Sequence, residues 1–160
     1  MILLLLPPAQ ESPAPPPAPA PLRAQYTWGY AGDDGEGKGT LNLLLEPATG
    51  RVVLEIHGVG ERLVLLTGNR ASGYRVQIPR QQIDATAADL KGLPLPFLSR
   101  VGSVEALHRL LTTGEAQGLR VTRKDGKGPV KMRFDGKDDK GNDFTVWLDR
   151  TRWETLPDQP

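Results

Sequence analysis

The sequence predicts an α+β fold: a strongly curved antiparallel sheet of about eight strands, with short helices laid across its concave face. Three observations lead there. From Tyr26 onward, apolar and polar residues mostly alternate with period two, as in strands with one dry and one wet face. Short Gly-, Asn-, Asp- and Pro-containing breaks separate the alternating segments, which is the chemistry of hairpin turns between neighbouring strands. Between residues 84 and 114 that rhythm stops, and a proline-punctuated apolar stretch and a helical pattern replace it.

The stretch 1–24 reads as something other than fold. Met1 to Leu6 is apolar and ends at Pro7-Pro8. It lacks a basic leader and is shorter than the roughly 7–15 apolar residues of a secretory signal. It falls further short of the ~20 residues that span a bilayer. The expectation is the remnant of an export signal that starts upstream. Pro7 to Pro21 is rich in Pro and Ala and should form an extended polyproline spacer, rising ~3.1 Å per residue. Residues 25–157 then form one domain, long enough to bury close to ~68% of its unfolded surface.

Within that domain, strands are expected near 26–31, 38–46, 51–57, 61–67 and 73–79, and again near 119–124, 129–135 and 143–149. Val52, Leu54 and Ile56 alternate with Arg51, Glu55 and His57; Tyr74, Val76 and Ile78 alternate with Arg75 and Gln77. Val130, Met132 and Phe134 form one face of a later strand, and Phe144, Val146 and Leu148 one face of the last. The turns are Pro47 to Gly50, Gly68 to Arg70, Asp125 to Gly128 and Asp139 to Asn142. In the helical insert, Asp84 should cap a short Ala-rich helix over 85–91, followed by an apolar plug over 93–98. Ser103 is the N-cap of a second helix over 103–112, with Glu105 in its first turn and Gly114 as its stop. Val104, Leu107, His108 and Leu111 lie on one side of it.

Motifs for chemistry fail on inspection. Gly32 to Lys38 imitates a phosphate-binding loop, yet Gly39 follows the Lys where a Ser or Thr is needed, and a strand pattern follows where a helix should open. Asp33, Asp34 and Glu36 would also repel phosphate, so this is a hairpin. Asp135 to Asp143 carries four aspartates, but Lys137 stands at the second ligand position of a calcium loop, so it reads as a solvated turn. His57 and His108, the only histidines, lack partners at metal-ligand spacing, and there is no cysteine. No serine sits in a nucleophile elbow. The sequence therefore points to no enzyme, no cofactor and no metal.

A net charge of +1 offers no field for nucleic acid. Arg120, Arg123, Lys124, Lys127, Lys131 and Arg133 oppose the single acid Asp125 over one hairpin, a face that could meet anionic headgroups or simply be wet. Val59, between Gly58 and Gly60, is an apolar residue at a tip that could dip into a membrane surface or fold back onto the sheet. Leu54, Ile56, Leu65, Val76, Ile78, Leu95, Phe97, Leu107, Leu111, Met132, Phe134 and Val146 are candidates to line an apolar hollow or equally to fill a closed core. Hollow and core use the same alphabet, so two functions follow: a carrier of acyl chains, or a β-rich interaction or structural module on a Pro-rich stalk.

The order of elements from Tyr26 to Trp153 resembles the LolA/LolB superfamily of lipoprotein carriers, LolB most of all. His57-Gly58-Val59-Gly60 is similar to the family's tip, and Gly92-Leu93-Pro94-Leu95-Pro96-Phe97 to its Gly-Met-Pro-Ile-Pro-Leu segment. Leu110 to Gly114 resembles the end of its helix, and Met132 to Trp153 its final hairpin and closing Trp. The resemblance implies an open half-barrel with a helical lid, acting as a monomer in the periplasm or at the periplasmic face of the outer membrane. It implies acyl chains of lipid or lipoprotein as the partner, and membrane contact through Val59. The chain departs from LolB in carrying Val where the family has Leu at the tip. It also has no cysteine to acylate.

Overall fold

The computed structural model describes residues 19–115, 119–138 and 140–156; residues 1–18, which hold the apolar start and most of the Pro-rich spacer, lie outside them, as do the side chains of Pro96 and Phe97. Nine strands make one antiparallel sheet that does not close: β1 (Leu22–Gly32), β2 (Gly35–Glu46), β3 (Arg51–His57), β4 (Arg62–Asn69), β5 (Gly73–Ile78), β6 (Ile83–Ala87), β7 (Leu119–Asp125), β8 (Gly128–Lys137) and β9 (Asp143–Thr155). Their spatial order is β6-β5-β4-β3-β2-β1-β9-β8-β7. Two runs of hairpins thus meet where β1 pairs with β9, and the edges β6 and β7 are joined through the helices α1 (Pro96–Val101) and α2 (Val104–Thr113).

The sheet begins at Leu22, three residues before the expected start of the domain at 25. Leu22 faces both Leu45 of β2 and Thr155 of β9 and is almost wholly buried, so pairing on two sides carries it into the fold. The larger correction concerns 85–91. There is no helix there: Ile83–Ala87 is a strand paired with β5, followed by a single tight turn of 3-10 helix over Leu90–Gly92. Asp84 caps nothing; its carboxylate takes two hydrogen bonds from Arg75 at 2.8 and 2.6 Å. The apolar plug over 93–98 becomes helical only from Pro96, because proline suits a first helical position where its missing N–H is not needed.

Helix α2 forms as its sequence dictates. Ser103 Oγ accepts a hydrogen bond from the Ala106 N–H at 3.1 Å, and Gly114 leaves the helix with φ 73°, its N–H donating to Leu110 O. Val104, Leu107, Leu110 and Leu111 are buried, and they share one core with a single face of the sheet. Arg70, in the β4–β5 turn, donates to the carbonyls of Pro47 and Ala48 and pairs with Glu105, fixing the start of α2 to two turns. At its other end the Thr112 carbonyl lies beside Gly128, where an added Cβ would come within 2.4 Å of it. Helix α2 therefore crosses the end of the sheet that holds the β2–β3, β4–β5 and β7–β8 turns.

Register assigns the faces, because residues directly opposite one another in an antiparallel pair share a side. Leu22, Ala24 and Tyr26 of β1, Leu43 and Leu45 of β2, Leu54 of β3, Leu66 of β4, Val76 of β5 and Met132 of β8 belong to the inner face and are buried. No polar or charged residue is wholly buried among the described residues.

Candidate functional site

The sequence-derived lining residues separate into three groups. Leu54, Val76, Ile78, Leu107, Leu111 and Met132 are buried in the protein's own core. Ile56, Leu95, Phe134 and Val146 are half-buried, and the side chain of Phe97 lies outside the described residues. Leu65 is a correction: Val64 and Leu66 face inward, so Leu65 belongs to the opposite face, across the pair from Glu55. It lies there near the cross-strand pair Leu44 and Val53.

Ile56, Phe134 and Val146 gather at the end of the sheet away from α2, whereas Leu95 stands at the start of α1. Along β1 the inner face continues past Tyr26 to Trp28 and Tyr30, whose partners on β9 are Leu148 and Val146. Val146 in turn opposes Phe134 on β8, and Leu41 opposes Ile56 across β2 and β3. Tyr30 stacks on Phe144 with ring centroids 5.9 Å apart, and Phe134 meets Phe144 at 6.1 Å. The Arg100 guanidinium of α1 sits 5.7 Å from the centre of the Phe134 ring, so α1 borders this patch. All of these apolar side chains stay partly open to solvent, unlike their counterparts beneath α2.

Glycines make room for the rings. Gly37 and Gly39 oppose Tyr30 and Trp28 across the first hairpin. Trp28 lies over Gly37, and its Nε1–H donates to the His57 carbonyl at 3.0 Å. A Cβ on Gly39 would stand 1.8 Å from that same oxygen. Gly136 clears Phe144 in the same way. The sequence reading missed Trp28 and Tyr30; the available signal was glycine at every second residue in Gly35-Glu36-Gly37-Lys38-Gly39, a strand face emptied for bulky partners.

Val59 is 85% exposed at the β3–β4 tip, on the same end of the sheet as this patch. The first hairpin turns at Asp33-Asp34, and Tyr30 donates to Asp34 at 2.5 Å. That bond pushes the Tyr30 hydroxyl up to about 12.

The basic hairpin also divides. Arg120 and Arg133 reach Asp135 at 4.0 and 3.2 Å, and Lys131 reaches Asp149 at 3.7 Å, all on the outer face. Asp135 accepts from Thr145, and with Arg133 this holds its carboxyl below the usual range. Arg123, Lys124 and Lys127 surround the β7–β8 turn and are exposed. They stand at the opposite end of the molecule from Val59, so no single flat surface meets both.

Behind that turn, Arg150 is mostly buried. It pairs with Asp125, donates to Pro129 O and stacks on Trp153 with its guanidinium 5.0 Å from the ring centre. The hydrogen bond from Arg150, followed by one from the Lys127 backbone, keeps the Asp125 carboxyl below its ordinary value. Tyr26 lies nearby with its hydroxyl buried and, among the described residues, unpartnered, and burial pushes that hydroxyl's pKa up. A surface cleft of about 270 Å³ beside it is lined by Leu22, His108, Thr112, Lys127, Trp153 and Thr155, together with Ala20. Burial lowers the His108 pKa, partly offset by its hydrogen bond to the Ala20 backbone. A second depression, of about 530 Å³, lies at the β4–β5 turn around Arg70 to Gly73, away from the aromatic patch.

Among the described residues no His, Cys, Asp and Glu side chains gather as a metal site, and no helix is long and apolar enough to cross a membrane. The chain matches no protein-family model and no curated protein.

Proposed function

We propose that the protein is a LolB-like, non-enzymatic carrier of acyl chains from lipid or lipoprotein, working in the periplasm or at the outer membrane as an open half-barrel. The observation that carries this reading is the end of the inner face that lies beyond α2. Trp28, Tyr30, Ile56, Phe134, Phe144 and Val146 form a partly exposed apolar surface, which meets the core through Leu41, Ile56 and Leu148. The core beneath α2 is filled by the protein itself, so the chain would lie at this aromatic end, between the sheet and α1. Burying about ten CH₂ groups there gains about 8 kcal/mol, the free energy of a micromolar complex. Contacts of this kind are non-directional, which suits a ligand that must be held and then released.

The test is titration of the full chain with a fluorescent fatty acid. Saturable micromolar binding is expected, weakened at least tenfold in Val146→Asp with the cooperative thermal transition retained. A folded chain that takes up no probe overturns the carrier and leaves the interaction module on a Pro-rich stalk.

A further inference from the structure

We propose that the β7–β8 turn is a docking surface for a bilayer rich in anionic phospholipid, distinct from the aromatic end and independent of acyl-chain binding. Arg123, Lys124 and Lys127 are exposed around the turn, and among the described residues none of their side chains has an ion pair. The one acid within the turn, Asp125, is engaged first by Arg150, a side chain only 6% exposed, and beyond that by Lys127, so a single shared carboxylate stands against three exposed cations. Of the other acids at this end, Glu46 pairs with Arg51 and Glu105 with Arg70, Glu154 faces Arg23 across the β1–β9 pair, and Glu115 follows the C-terminal end of α2. Arg109, three residues before Thr112 on α2, is a further exposed cation.

The arrangement of the surface favours a lipid over other polyanions. The cations flank a hairpin turn, where long side chains can reach a flat array of phosphates. The cleft beside it holds a single aromatic ring, Trp153, which already carries the Arg150 guanidinium on one face, so no run of rings is offered there for stacking bases. Trp153 shares its cleft with Lys127, the pairing of an amphipathic ring and a cation that suits headgroup depth. The 10 residues of β8 span about 33 Å, so docking by this turn holds the aromatic patch and Val59 well off the bilayer. On the carrier reading, cargo would then be exchanged at the end facing away from the docked membrane.

The experiment is cosedimentation of the full chain with phosphatidylcholine vesicles, with and without phosphatidylglycerol, at low and high salt. The wild type is expected to bind the anionic vesicles at low salt only. Each cation near such a surface contributes about fivefold, so the triple variant Arg123→Gln, Lys124→Gln, Lys127→Gln should bind on the order of 100-fold more weakly. Val59→Glu should bind as the wild type does, and the triple variant should keep its thermal transition and its fatty-acid affinity. Equal binding by wild type and triple variant, or equal binding to neutral and anionic vesicles, overturns the proposal. So does a wild type that sediments with neither, which would assign these cations to an acidic protein. Because the fatty-acid titration is read on the same variant, failure here and failure of the carrier reading remain separate results.

Discussion

Single residues decide how the aromatic end is built, and Gly39 is the clearest case. Its missing side chain lets the Trp28 indole reach the His57 carbonyl across three strands. Gly39→Ala has no room for its methyl, so the pair must separate and the indole must move. Forcing a methylene-sized group into a tight contact costs about 1–3 kcal/mol. Urea unfolding should show that loss as a lower midpoint with an unchanged slope, together with a changed Trp fluorescence spectrum in the folded state. An unchanged midpoint would mean that the first hairpin yields freely at this point. Leu65 teaches the complementary lesson. Leu63-Val64-Leu65-Leu66 is apolar without interruption, so period two cannot say which pair faces inward. Pairing of Leu66 with Leu54 and Val76 decides it, and that register is not written locally.

Elements with local signals were legible and those decided by partners were not. The helix from Ser103 to Gly114 could be read from its cap, its buried stripe and its stop, all of which the structure contains. Ser103→Ala should cost about 1 kcal/mol, because the Ala106 N–H loses its acceptor. Differential scanning calorimetry should record a lower transition temperature, and Ser103→Asp should restore it; no shift in either would mean that packing alone holds the helix start. The strand over Ile83–Ala87 was the opposite case. Asp84-Ala85-Thr86-Ala87 has helix-forming alanines behind a capping residue, yet pairing with β5 and the bonds from Arg75 prevail. The aromatic patch was hidden for the same reason. Trp28, Tyr30, Phe134 and Phe144 come from strands far apart in the chain, and only the sheet order brings β1 between β2 and β9.

For the whole molecule, the sheet order sets a gradient of stability. β1, β2 and β9 have partners on both sides, whereas β6 and β7 have one each. Every residue of β7 is exposed or half-buried, and its pairing with β8 is interrupted between Val121 and Lys124. Irregular pairing and cationic side chains are how an edge avoids recruiting foreign strands. Native-state hydrogen exchange should find amides of β1, β2 and β9 exchanging only by global opening, with those of β7 and the outer side of β6 exchanging orders of magnitude sooner. Uniform protection across all nine strands would contradict that gradient. The same asymmetry leaves β7 and its turn free to adapt to what they touch, while the aromatic end rests on the most firmly paired strands.

The pairing of β1 with β9 also governs how the molecule comes into being. A polypeptide is made from its N-terminal end, so the first ribbon, β1 to β6, is complete while Leu22 to Gly32 still lacks its second neighbour. Until β9 emerges, that strand presents an unsatisfied backbone edge flanked by Trp28 and Tyr30, a sticky seam during synthesis. Closing it joins residues more than a hundred positions apart, a late and slow event in assembly. A cell making this chain would therefore do well to keep the growing ribbon shielded until its last strand arrives.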